Sequence, residues 1–180
     1  MNCWKSINLT RQYGNQKMLV LSLLTMLISF VSLYTLISVL FKETHFFDDH
    51  SLLFAISVLS LYPVHKVLHY LPLSLHSEKL KAEVHYKWGM VPVCKVKVDS
   101  LISKQFFLLV LLMPFMVVSI SLLLCAVIFT HYAHYFTILL SLHAGICVAD
   151  FISLKNVIGS PTRSFIEENE EGYAILIRRD

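Results

Sequence analysis

Tyr62-Pro63-Val64-His65-Lys66-Val67-Leu68-His69 stands inside an otherwise apolar run. His65 and His69 are four residues apart, so a helix places both imidazoles on one face, about 6 Å apart along its axis. Two neutral imidazoles at that spacing can share one Zn²⁺, and the H-E-x-x-H motif of metallopeptidases uses it. Here Lys66, not Glu, follows the first histidine. A bare H-x-x-x-H arises by chance in any histidine-rich helix, so its weight depends on its setting.

That setting is a membrane protein. The 180 residues are 56% hydrophobic and only 15% charged, against roughly 45–50% and about 25% in soluble domains. The net charge is +3, and the basic residues are not massed into a nucleic-acid face. Cys3, Cys94, Cys125 and Cys147 fall in different segments without a C-x-x-C pair, so they read as reduced thiols. The first apolar run is too long for the h-region of a cleaved signal peptide, and no A-x-A site follows it.

Taken in order, residues 1–17 form a polar segment and residues 18–41 a first span, long enough for a hydrocarbon layer of about 30 Å. Ser22, Thr25, Ser29 and Ser32 lie along one stripe of it, the pattern of a helix–helix contact. A polar loop with Asp48, Asp49, His45 and His50 follows, whose histidines read as solvated. Residues 51–73 make the second span. Pro63 deprives a carbonyl near Leu59 of its donor and favours a kink, and Pro72 is expected to end the helix. Residues 74–104 are polar. Val84–Trp88 and Val93–Val98 alternate apolar and polar about Gly89 and Pro92, which predicts a β-hairpin. The third span is 105–130, with Pro114 inside it. A turn carrying His131 and His134 leads to the fourth, 135–154, where Ser141, Gly145 and Ala149 share a face suited to close helix contact. Residues 155–180 form a tail with acidic residues and a strand-like Tyr173–Ile177. The expected fold is an all-α membrane protein: four transmembrane helices with a small cytoplasmic β-hairpin between helices two and three.

Basic residues set the orientation. Lys5, Arg11 and Lys17 precede the first span, six lysines fall in 74–104, and four Lys/Arg lie in the tail. The 42–50 loop holds only Lys42, and the 131–134 turn holds none. The positive-inside rule then puts both termini and the 74–104 loop in the cytoplasm of a multi-pass cell-membrane protein.

Within those spans the only normally charged side chains are Lys66 and Asp150. Each costs roughly 2.5–3.5 kcal/mol at the bilayer centre on insertion scales, so each suggests a function. His69 and Asp150 both lie about four residues from the cytoplasmic end of their helices, roughly 6 Å deep, with His65 one turn deeper. Spacing and depth leave two readings open. Two imidazoles and a carboxylate match a catalytic zinc site with one open position. Alternatively, Lys66 and Asp150 form an ion pair and the histidines bond to their neighbours. Lys66 lies about 80° around the helix from the His pair, so it can snorkel to the interface and leave Asp150 to a metal. His143, two turns above Asp150, reads as a packing histidine.

Tyr62–His69, the Gly89 hairpin, Met113-Pro114-Phe115, Ala149-Asp150 and the tail from Ser164–Glu168 to Gly172-Tyr173 together resemble a known family. These are the bacterial membrane proteins described as putative zincin peptidases, themselves similar to site-2-protease-type intramembrane metalloproteases. The resemblance covers nearly the whole chain and implies His65, His69 and Asp150 as ligands of a Zn²⁺ cofactor. Lys66 departs from the pattern, because members carry the catalytic Glu there. That Glu takes a proton from the zinc-bound water and passes it to the leaving amine. A charged Lys has no lone pair, and Lys66 would serve as base only if burial beside Zn²⁺ kept it neutral. A carboxylate such as Glu78 or Glu83 would otherwise have to fold back.

Two classes of function follow. One is an intramembrane zinc metallopeptidase cutting a transmembrane protein substrate, impaired by Lys66. The other is a non-catalytic scaffold of the same architecture that binds membrane partners, held by a metal or a Lys66–Asp150 pair. The expected surroundings are the lipid bilayer, without nucleic acid. A transporter fits less well, since four spans without inverted-repeat symmetry offer one polar layer and no path.

Overall fold

The structure, a computed structural model, describes residues 2–42, 44–76, 80–87, 91–98, 101–169 and 172–177. Within these, only the backbone is described at 10, 75–76, 80–87, 91–98 and 168–169. Strand β1 (Asn2–Ile7) and a short helix α1 (Leu9–Tyr13) precede the long apolar helix α2 (Asn15–Leu40). Helix α3 (Ser51–His76) leads to β2 (Leu80–Lys87), β3 (Val91–Val98) and the two-residue β4 (Ile102–Ser103). Then come α4 (Lys104–Ile128), a 3-10 turn, α5 (Ala133–Ile146), α6 (Val148–Ile158), β5 (Ser164–Asn169) and β6 (Gly172–Ile177).

Helices α2, α3 and α4 are long and apolar enough to cross a membrane. The pair α5–α6, bent by 45° at its break, makes a fourth if taken as one span. Their outer faces are lined by residues such as Leu59 at 77% and Val39 at 70% exposure. Such a surface is stable only where the surrounding medium is itself apolar. Helix α3 runs through Pro63 and, contrary to the expected stop, through Pro72 as far as His76. A proline this close to a helix end orphans one carbonyl without breaking the turns that follow. The Ser74 hydroxyl bonds the neighbouring Leu71 carbonyl at 2.8 Å.

The helices pack through small residues. Helix α2 lies along α5, and a Cβ on Gly145 would stand 3.0 Å from the Ser22 carbonyl and 3.3 Å from Met26 Cβ. Of the polar stripe on α2, Ser22, Thr25 and Ser29 are half-buried, whereas Ser32 is exposed.

The all-α expectation misses a second sheet. Beside the β2–β3 hairpin, an antiparallel sheet in the order β1-β6-β5-β4 joins the N-terminal segment, the α3–α4 connection and the tail. In the hairpin, Val84 faces Cys94 and Tyr86 faces Pro92; Gly89 lies outside the described residues. The inner face of the larger sheet offers Ile7, Ile102, Ile166, Tyr173 and Ile175 to Leu73 of α3, Phe107 and Val110 of α4 and Val157 of α6. Each isoleucine so buried contributes about 1.5–3 kcal/mol relative to exposure. Gly172 is required here, since a Cβ would run into the Ile7 carbonyl. Lys104 Nζ donates to the Ile158 carbonyl at 2.9 Å, placing a cation at the C-terminus of α6.

At the opposite end, the loop after α2 is tied to the 3-10 turn. His131 Nδ1 donates to the His45 carbonyl at 2.9 Å, and His134 Nε2 meets Asp48 at 3.0 Å. Tyr132 donates to Asp49 at 3.0 Å. His131 and His134 are thus engaged in closing the loop. The His50 hydrogen bond, opposed by desolvation and assisted by Tyr132, holds the Asp49 carboxyl below the usual carboxylate range. What that contact adds to stability is present above the ordinary Asp pKa and lost as pH falls through the lowered one.

Candidate metal centre

His65 and His69 sit on the buried face of α3, with their Nε2 atoms 3.2 Å apart and their rings nearly perpendicular. The bend after α5 centres on Cys147, whose N–H bonds the His143 carbonyl at 3.0 Å. It leaves Asp150 in the first turn of α6. Asp150 Oδ2 lies 3.2 Å from His65 Nε2, and Oδ1 lies 3.4 Å from His69 Nε2. The layer inferred from charge and depth is therefore one cluster in space. It lies one helical turn below Leu73, under the β1-β6-β5-β4 sheet.

The chemistry of the donor set fits zinc. Tetrahedral bonds of about 2.0–2.1 Å separate ligand atoms by about 3.3 Å, close to the three distances above. The other ring nitrogens have partners as well. His69 Nδ1 is 3.0 Å from the Val110 carbonyl, which fixes the proton on Nδ1 and leaves Nε2 a lone pair. His65 Nδ1 is 3.2 Å from His143 Nε2. With the ring proton of His65 on Nδ1, two lone pairs and a carboxylate converge with no proton between them. Such a convergence repels unless a cation occupies it.

Lys66 stands apart from this cluster. Its ammonium lies 5.7 Å above the centroid of the exposed Tyr62 ring, while the ion pairs of Asp150 among the described residues are those with His65 and His69. Glu78 and the Glu83 side chain lie outside the described residues.

Sequence reasoning missed the other side of His65. His143, read as a packing residue, is fully buried and links His65 to Ser119, whose hydroxyl is 3.3 Å from His143 Nδ1. Cys147 Sγ lies 3.5 Å from His143 Nε2 and 3.9 Å from His65 Nδ1. His65, His143 and Cys147 thus form a second donor group. The spacing His143, Cys147, Asp150 (four, then three) was the available sign, because it puts all three on one face of a helical stretch.

No curated protein and no solved structure matches the chain. A family model described as Putative zincin peptidase matches residues 58–165, from α3 through the first residues of β5. The match covers more than half of the chain and includes both histidines of α3, Lys66 and Asp150, and zinc binding is what a zincin family implies; the chain belongs to the putative zincin peptidase family.

Proposed function

We propose that this chain is a membrane metallopeptidase-type protein in which His65 Nε2, His69 Nε2 and the Asp150 carboxylate hold one Zn²⁺, and that its peptidase activity is weak or lost. The observation carrying the reading is the spacing of those donors at 3.2, 3.2 and 3.4 Å, with His69 oriented by the Val110 carbonyl. Zinc in such a set supplies Lewis acidity toward a scissile carbonyl. Asp150 supplies the charge that offsets the cation, and the buried face of α3 keeps water scarce around it. What is missing among the described residues is a further carboxylate beside the set to accept a proton. Lys66 carries an ammonium without a lone pair, directed over Tyr62. The substrate class fitting this reading is a membrane-embedded segment, cut near the face that the positive-inside rule predicts to be cytoplasmic.

Elemental analysis of the full chain, purified in detergent and supplied with zinc, tests the ligand set. About one zinc per chain is expected, lost in His65→Ala, His69→Ala and Asp150→Asn. Undiminished zinc in both histidine variants would move the metal elsewhere and end this reading.

A further inference from the structure

We propose that a second metal position lies on the far side of His65, formed by His65 Nδ1, His143 Nε2 and Cys147 Sγ, and that it takes a soft monovalent cation, Cu⁺. Geometry comes first. The three donors are separated by 3.2, 3.5 and 3.9 Å. A cation in their plane, about 2.0 Å from nitrogen and about 2.3 Å from sulfur, would separate them by about 3.5–3.7 Å.

Charge selects the ion. His143 and Cys147 are fully buried and His65 is 2% exposed. One thiolate and two neutral imidazoles around a monovalent ion sum to zero. A divalent ion at the same donors would need a second anion, and the Asp150 carboxylate lies beyond the His65 ring rather than among the donors. Thiolate and imidazole suit Cu⁺ as they suit zinc, and a planar set of three protein donors leaves zinc one ligand short of its tetrahedron.

The outer partners complete the site. With Nε2 of His143 on the metal, its Nδ1–H faces the Ser119 hydroxyl at 3.3 Å. With Nδ1 of His65 on the metal, its Nε2–H faces Asp150 Oδ2 at 3.2 Å. Each ligating ring thereby donates its remaining proton to an oxygen, the arrangement that orients metal-bound histidines.

The two positions exclude each other. A neutral imidazole carries one ring proton: the His65–His69–Asp150 set needs it on Nδ1, and the His65–His143–Cys147 set needs it on Nε2. On copper binding the Cys147 thiol loses its proton, which leaves the protein, and an S–Cu bond forms. The His65 ring proton moves from Nδ1 to Nε2. Copper remains Cu⁺ throughout, so neither oxidant nor reductant is consumed. One imidazole thus chooses between a hard, partly exposed site and a soft, sealed one.

The test uses the full chain in detergent with Cys3, Cys94 and Cys125 changed to Ser, titrated anaerobically with Cu⁺ against a competing chelator. About one Cu⁺ per chain is expected, and copper-edge X-ray absorption should show one sulfur and two imidazoles. Cys147→Ser should abolish this binding, and Ser119→Ala should weaken it about 10–100-fold. Asp150→Asn and His69→Ala should keep copper while losing zinc, because Asn still offers an oxygen to His65. Added Cu⁺ should displace zinc one for one. Copper affinity unchanged in Cys147→Ser, or an absorption spectrum without sulfur, overturns the proposal, and the spectrum needs no variant to fold. Copper without zinc would overturn the His65–His69–Asp150 reading alone; zinc without copper would overturn this one alone.

Discussion

Lys66 is the residue on which the proposed loss of catalysis turns. It occupies the position after the first histidine, where a carboxylate would accept a proton, and its ammonium instead lies 5.7 Å over the Tyr62 ring. General acid–base catalysis contributes about 10²–10⁴-fold, so the native chain should cleave transmembrane peptides at a rate lower by about that factor. Lys66→Glu should raise turnover of a reconstituted transmembrane peptide library, and the gain should vanish with chelator. The variant also adds a second carboxylate on the helix that bears His65 and His69, so its folding should depend on zinc more than the native chain's does. Chelator-sensitive turnover by the native chain as fast as that of Lys66→Glu would show that another group serves as base.

At the scale of elements, the α2–α5 contact brings the bent helix pair close enough for Asp150 to reach α3. Gly145 abuts a backbone carbonyl, Ser22 O, which cannot rotate away as a side chain would. Gly145→Val should therefore push the helices apart and cost about 1–3 kcal/mol, the usual penalty of overpacking. Zinc binding should weaken with it, since α6 follows α5. Gly14→Ala is the useful contrast. Gly14 has φ 74° with nothing near its would-be Cβ, so that change should cost about 1–2 kcal/mol through backbone conformation alone. Denaturant unfolding in mixed micelles, with zinc content measured in parallel, separates the two: only Gly145→Val should lose metal.

For the whole molecule, the β1-β6-β5-β4 sheet gathers the N-terminal segment, the α3–α4 connection and the tail at one end. The loop after α2 and the turn before α5 meet at the other. The basic residues concentrate at the sheet end, which predicts a cytoplasmic sheet. In a cysteine-free background, an impermeant thiol reagent added outside whole cells should label His45→Cys and Asp48→Cys but neither Gln12→Cys nor Thr162→Cys. Labelling at 12 or 162 from outside would reverse the orientation and place the donor layer near the outer face.

The long apolar runs, their polar interruptions and the shared depth of His65, His69 and Asp150 were legible in the sequence alone. Each depends on local composition and helical period, which a single segment carries. The larger sheet was not legible, because β1 shows no alternation of its own and its partner β6 lies at the other end of the chain. Pairing between distant segments becomes favourable only once the helices bring them together. His143 and Cys147 were missed for the same kind of reason. Each reads as an ordinary buried residue until the bend at Cys147 and the packing of α5 and α6 against α3 and α4 set them beside Nδ1 of His65. A sequence specifies which donors a chain owns; which lone pairs converge is decided by how the helices pack.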